Sequence, residues 1–142
     1  MALNLVKLCV GISSVAELEA YRASRARLLG NSGEELHVHR TRMMPRRAAQ
    51  IAGQGSLYWV IKGKIRCRQN IFALEASTDG DGKSCCDIQM LPQLVRTVPQ
   101  PKRPFQGWRY LAEKDAPADL DLGENQQNDV EIAGELARLG LI

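Results

Sequence analysis

The chain has 142 residues, of which 44% are hydrophobic, 25% charged and 5% aromatic. A domain of this size and composition can bury one sizeable core, which excludes repeat arrays, collagen and wholesale disorder. No stretch approaches the ~20 apolar residues of a membrane span, and residues 3–12 lack the cleavage pattern of a signal peptide. We therefore expect a soluble, cytoplasmic protein without a membrane partner.

The net charge of +3 is distributed unevenly along the chain. Residues 1–110 contain 17 Lys and Arg against 8 Asp and Glu, a difference of +9, whereas residues 111–142 contain 2 against 8, a difference of −6. A basic body attracts polyanions, and an acidic tail repels them or folds back over the basic face. This pattern predicts an RNA or nucleotide ligand with intramolecular masking by the tail; the alternative is a solvated surface with a solubilising tail.

The first half of the chain is predicted to alternate strands with helices. Ser14 and Glu17 have the spacing of a capping box, and Pro45 occupies a position that favours a helix start. The predicted elements, in order, are a strand at 3–11, a helix at 14–29, a strand at 36–43 and a short helix at 45–52.

The second half is predicted to consist of strands. Gly63 marks a bend or bulge, and residues 79–82 have the composition of a hairpin turn. Four prolines within 92–104 keep that stretch extended and unable to join a central ladder, which predicts a surface strap. The predicted strands cover 56–62, 64–77, 83–91 and 94–98.

These elements predict an α+β domain over residues 1–111. We expect a curled antiparallel sheet or partly open β-barrel, with one or two packed helices. Residues 112–128 are acidic and polar, which predicts a flexible linker. A short C-terminal helix is predicted over 129–142, with one apolar face that packs on this chain or on a partner: Ile132, Leu136 and Leu139.

The sequence lacks the recognised motifs of catalysis and cofactor binding, which weakens the enzyme class without excluding it, and we expect no cofactor. His37 and His39 lie on one face of a predicted strand, but a metal site would need carboxylates from elsewhere. We favour partly exposed strand histidines and no metal. The four cysteines have no metal-site spacing and are predicted to be reduced and mostly buried: Cys9, Cys67, Cys85 and Cys86.

Cations and aromatic residues instead indicate a nucleic-acid-binding module. If the strand after Gly63 is regular, Lys64, Arg66 and Arg68 project from one face and can track phosphates. Residues 101–110 combine cations with aromatic rings, a mixture suited to base stacking and phosphate contact. Alternatively, Phe105 and Trp108 plug the open end of the sheet. The predicted nucleic-acid-binding residues are Arg40, Arg42, Arg46, Arg47, Lys64, Arg66, Arg68, Lys102, Arg103, Phe105, Trp108, Arg109 and Tyr110.

Two other function classes are consistent with the sequence. The first is an enzyme or binding domain for a small molecule or modified nucleotide, with a pocket between the sheet and the first helix. Its predicted lining is Tyr58, Arg68, Arg96 and Trp108, where arginines would fix an anionic group. The second is a protein-interaction module that acts through the acidic segment and the terminal helix.

Residues 5–11, 40–43, 56–63 and 103–111 resemble a family of short, mainly alphaproteobacterial proteins, the domain of unknown function numbered 1489. The resemblance covers most of residues 1–120. Because the family carries no established activity, it implies a bacterial cytoplasmic setting and no catalytic residues. The strand pattern also resembles, more weakly, the PUA and ASCH pseudobarrel domains, which commonly bind RNA or modified nucleotides.

Overall fold

The computed structural model describes residues 3–24, 27–29 and 34–120. The predicted C-terminal helix, with Ile132, Leu136 and Leu139, lies outside these residues. Among the described helices, none has the length and apolar character needed to cross a membrane.

The described chain forms eight strands, one α-helix and two short 3-10 turns. In chain order the elements are β1 Leu3–Leu8, α1 Val15–Ser24, β2 Arg27–Leu29, β3 Glu34–Thr41, a 3-10 turn Ala48–Gln50, β4 Ser56–Ile61, β5 Lys64–Thr78, β6 Ser84–Met90, β7 Val95–Pro101, β8 Trp108–Ala112 and a 3-10 turn Glu113–Asp115. The strands form one sheet in the order β2-β3-β6-β5-β4-β1-β8, and β7 pairs with β5.

The sheet is open and mixed, which corrects the expectation of a purely antiparallel sheet. β1 runs parallel to β4, with Leu5 opposite Leu57, whereas the other pairs are antiparallel. A parallel pair needs a long crossover, and the chain through α1, β2 and β3 supplies it. Within the described residues the terminal strands β2 and β8 do not pair with each other, so the barrel is not closed.

The predicted first helix begins correctly but ends too late. Ser14 Oγ accepts a hydrogen bond from Glu17 N at 3.1 Å, and Ser13 N donates to Glu17 Oε2 at 3.4 Å, as in a capping box. α1 ends at Ser24, because Arg27–Leu29 pairs with β3 as a strand. The helix predicted for 45–52 contains only the 3-10 turn Ala48–Gln50.

The hydrophobic core lies on both faces of the sheet. On the face covered by α1, Val15 and Leu18 of the helix pack in a cluster with Leu5, Leu57 and Trp59. Tyr58 and Val60, the alternate residues of β4, belong to a smaller cluster on the opposite face. A Cβ at Gly55 would overlap the carbonyl oxygen of Leu3, so this position between two chain segments accommodates only glycine.

Part of the proline-rich stretch forms a strand paired with β5, an inner strand of the sheet, which corrects the prediction that it cannot join a central strand. β7 covers Val95–Pro101, which confirms the strand predicted there and extends it past residue 98. Its other side meets residues 118–120 through a bridge between Thr97 and Asp119. Of the segment predicted as a linker, the structure describes residues 112–120, and these residues contact the sheet through that bridge and a 3-10 turn.

Candidate functional site

The predicted row of cations on β5 does not share one face. Lys62 and Gly63 form a two-residue turn with φ of 51° and 79°, which places Lys64 opposite Ile61. Val60 then pairs with Ile65 and Trp59 with Cys67, so Arg66 is an extra residue in a β-bulge. Since Arg68 pairs with Tyr58, it lies on the face opposite to that of Lys64. The three cations could share one face only if β5 were regular, and the bulge at Arg66 makes it irregular.

Arg68 is held by an internal carboxylate. Its Nε and Nη2 donate to Asp119 Oδ1 and Oδ2 at 2.8 and 2.7 Å, a bidentate pair. Its Nη1 donates to Ser56 Oγ at 2.9 Å and to Asn70 Oδ1 at 2.7 Å. The hydrogen bonds from Arg68 lower the pKa of Asp119 from its usual value. This guanidinium thus has its charge balanced within the chain.

A polar cavity of about 520 Å³ lies beside this pair. Tyr58 and Arg68 both line it, together with Asn4 and Glu113. Burial raises the pKa of Tyr58, which keeps its phenol protonated at neutral pH. The other two residues of the predicted pocket lie elsewhere: Arg96 is 3.6 Å from Glu19 of α1, and Trp108 lines a different cavity. Only half of the predicted pocket therefore comes together.

The two arginines near the end of β3 are also paired with acids. Arg40 Nε donates to Asp87 Oδ1 at 2.7 Å, and this hydrogen bond raises the pKa of the arginine. Arg42 Nη1 donates to Asp79 Oδ2 at 3.0 Å. Asp79 also accepts backbone hydrogen bonds from Lys83 and Asp81, and these bonds lower its pKa together with Arg42. Both arginines are exposed, but each has a carboxylate partner.

The aromatic and basic residues of 101–110 divide between two sites. Phe105 packs against the smaller core cluster, between Lys102 Nζ at 5.8 Å and Arg109 Cζ at 5.3 Å from its ring centroid. Trp108 instead packs against the α1-side core. The two rings therefore pack against different core clusters, and of the alternative interpretation the structure shows the part in which an arginine lies over an aromatic face.

Trp108 and Tyr110 form an aromatic pair at the edge strand β8. Their ring centroids are 4.9 Å apart with an interplanar angle of 68°, and Tyr110 is 38% exposed. Trp108 Nε1 donates to the Met43 carbonyl at 2.8 Å, and the Met43 side chain is 68% exposed. Arg47 lies over the Tyr110 ring at 5.8 Å, and its backbone N donates to the Tyr110 hydroxyl at 3.2 Å.

These residues surround a shallow cavity of about 560 Å³, which we call the Trp108 surface. Its lining comprises Thr41, Arg42, Met43, Gln106, Gly107, Trp108, Arg109 and Tyr110. Arg46, Arg47 and Arg103 are exposed nearby in the chain and form no ion pair with any residue that the structure describes. The surface combines a partly exposed aromatic pair with one lining cation that has an acid partner, Arg42, and one that has none among the described residues, Arg109.

The α1 side of the sheet contains a polar group that the sequence analysis missed. Arg22 of α1 is only 5% exposed, and it follows Val15 and Leu18 at the spacing of a buried helical stripe. His39 lies beside it and is partly exposed, as predicted, whereas His37 is buried, which corrects the expectation for that histidine. The signal in the sequence that could have identified this group is an arginine at a position of α1 where the helical spacing predicts a buried apolar residue. No group of three metal-ligating side chains occurs among the described residues.

The fold and these sites define a small, mostly β protein with a basic, aromatic surface. The chain belongs to the family described as protein of unknown function DUF1489, whose model matches residues 5–142. No match was found among curated proteins or solved structures.

Proposed function

We propose that this protein binds single-stranded nucleic acid, RNA in particular, through the Trp108 surface. The observation that carries the proposal is the Trp108–Tyr110 pair, in which Trp108 is half-buried and Tyr110 exposed, beside cations without acid partners in the described part of the chain, such as Arg47 and Arg109. Aromatic rings stack on unpaired bases, and arginines contact phosphates on either side of a stacked base. The cavity of about 560 Å³ is open to solvent, as a surface that receives one base of a longer strand must be.

The residues that support this proposal are a subset of those predicted from the sequence. Trp108, Arg109 and Tyr110 line the Trp108 surface, and Arg47 contacts the Tyr110 ring. Arg46 and Arg103 are exposed and close to these residues in the chain. Arg40 and Arg68 are paired with acids elsewhere, and Phe105 packs beneath Lys102 and Arg109. The resemblance to PUA and ASCH domains favours the same ligand class at the level of fold.

The salt dependence of RNA binding tests the cationic part of the proposal. We expect a fluorescent single-stranded RNA to bind the full chain, with affinity falling steeply as salt rises. The double variant Arg46→Gln, Arg47→Gln should bind more weakly and reduce the slope of log affinity against log salt by about 1.4, since each phosphate contact contributes ~0.7. The matched control is Lys83→Gln, Lys114→Gln, which removes the same charge from exposed positions outside the Trp108 surface.

The aromatic part is tested by replacing the half-buried Trp108. Trp108→Leu removes the stacking face and should weaken RNA binding by about tenfold or more, given ~1–3 kcal/mol for each stacked base. Trp59 is 1% exposed, so fluorescence quenching by RNA should report mainly on Trp108. A folded Trp108→Leu variant with unchanged affinity, or wild-type binding that salt does not weaken, would contradict the proposal.

A further inference from the structure

A second cavity, of about 630 Å³, lies between α1 and the sheet, apart from the Trp108 surface. We call it the α1 cavity. Its wall is largely apolar, and three side chains with basic nitrogens, Lys7, Arg22 and His39, join that wall. The apolar and aromatic part of the lining includes Leu8, Val10, Ile12, Leu18, Tyr21 and Trp59. A cavity of this size can bury most of a small organic molecule.

Arg22 brings a buried positive charge to this cavity without a balancing carboxylate. Its Nη1 donates to the Val38 carbonyl at 3.2 Å, and its Cζ lies 5.2 Å from the Trp59 ring centroid. Its Nε has no hydrogen-bond partner, and no described residue forms an ion pair with it. A buried guanidinium is costly unless an anion compensates it, so this site favours an external acceptor.

His39 presents a second donor of the same kind. Arg22 Nη2 lies 3.3 Å from His39 Nδ1, and because arginine has no acceptor atom, Nδ1 must accept. The proton of the neutral ring is then on Nε2, which is buried and has no hydrogen-bond partner. The ring meets Trp59 edge-on with centroids 5.1 Å apart, a contact that stabilises an N–H only weakly. Two neighbouring residues therefore each have an N–H without an acceptor.

The remaining charged groups of the lining favour an anion with one negative charge. Lys7 adds a second cation, and Glu17 is the carboxylate of the lining, accepting a hydrogen bond from Ser13 N. Burial raises the pKa of the Cys9 thiol to about 11, so Cys9 stays neutral and is a poor nucleophile. The lining thus carries two cations against one carboxylate, an excess that one carboxylate from a ligand would neutralise.

We propose that the α1 cavity binds a small organic acid, with its carboxylate beside the basic side chains Lys7, Arg22 and His39 and its apolar body against Ile12 and Tyr21. Such an anion would compensate the buried guanidinium of Arg22, whose Nε has no acceptor within the described chain. This binding site is independent of nucleic-acid binding, because its residues are not those of the Trp108 surface.

The test compares acids with neutral molecules of similar shape on the full chain. Benzoate and hexanoate should bind saturably below about 10 mM, and benzyl alcohol and hexanol should bind at least about tenfold more weakly. In spectra of ¹⁵N-labelled protein, benzoate should shift the Arg22 Nε–H resonance. Equal affinity for acids and alcohols, or no saturable binding of either acid, overturns the proposal.

Two pairs of variants locate the binding. Arg22→Met should reduce benzoate affinity at least about tenfold, and Arg96→Gln, which removes an exposed cation outside the cavity, should leave it unchanged. Ala20→Trp fills the cavity and should block benzoate, whereas Ala16→Trp, also exposed on α1, should not. If Arg22→Met fails to fold, the comparison of Ala20→Trp with Ala16→Trp still tests whether benzoate binds in the α1 cavity. Unchanged affinity in folded Ala20→Trp overturns the site.

Discussion

Arg68 and Arg22 differ in how the positive charge of the guanidinium is balanced. Both arginines lie beside cavities on the sheet, but Arg68 has a bidentate partner in Asp119, and Arg22 has no carboxylate partner among the described residues. The first guanidinium therefore stabilises the chain, joining residues 51 positions apart. The second has donors available for another molecule. Internal charge balance, more than the presence of an arginine, distinguishes a structural site from a candidate binding site.

The largest expected effect is a difference in the free energy of unfolding between variants of Arg68 and variants of Arg22. Arg68→Met removes four hydrogen bonds, two of them to Asp119, and should lower the free energy of unfolding by about 2–3 kcal/mol. Arg22→Met removes a buried charge without an acid partner and should leave stability within about 1 kcal/mol of wild type, or raise it. Urea unfolding at neutral pH measures both.

Asp119→Asn is the control for this comparison. It keeps the size of the side chain and removes the charge, so the loss should be smaller than that of Arg68→Met, about 1 kcal/mol for a pair in which Asp119 is 43% exposed. If Arg22→Met lowers the free energy of unfolding more than Arg68→Met does, the assignment of Arg68 as the structural arginine is wrong.

Acid should weaken the Arg22 region before the Arg68 region. Burial, with the nearby charges of Arg22 and Lys7, lowers the pKa of His39 from 6.5 to about 3. Between these values the unfolded chain binds a proton that the folded chain does not, so stability falls as pH drops below 6.5. From about pH 7.5 to about pH 5, His39 should account for a loss on the order of 2 kcal/mol.

His39→Asn checks this assignment. Asparagine can still accept from Arg22 and does not titrate, so the variant should lose less stability over the same pH interval. The pKa of Asp119 is lowered from 3.8, so its contribution is present above pH 3.8 and is lost only in stronger acid. Equal pH dependence in wild type and His39→Asn would show that other groups dominate.

The smallest expected effect is that of the acidic C-terminal segment on RNA affinity. Deleting residues 123–142 should leave the main domain folded, and RNA affinity at low salt should rise a few-fold, because the net charge changes from +3 to +6. The charged residues removed are Glu124, Asp129, Glu131, Glu135 and Arg138. Fluorescence polarisation with RNA measures the change. Unfolding would show that the segment completes the core, and unchanged affinity would remove the masking role.

Local patterns predicted much of the secondary structure. Apolar and β-branched runs indicated strands at β1, β3 and β4, and Ser14 with Glu17 identified the start of α1. The ends of elements were less accessible, because they depend on partners: Arg27–Leu29 is a strand since β3 pairs with it. The row of cations on β5 failed for a related reason, the bulge at Arg66, which depends on the pairing with β4.

By itself, the sequence determined the family, the α+β composition and the excess of cations over acids before residue 111. These properties follow from residue types and their local periodicity. Only the tertiary structure decided which cations are neutralised: Asp119 meets Arg68, Asp87 meets Arg40, and no described acid pairs with Arg22. Such pairs join residues distant in the chain, and their energies depend on burial and distance, which local sequence patterns do not encode.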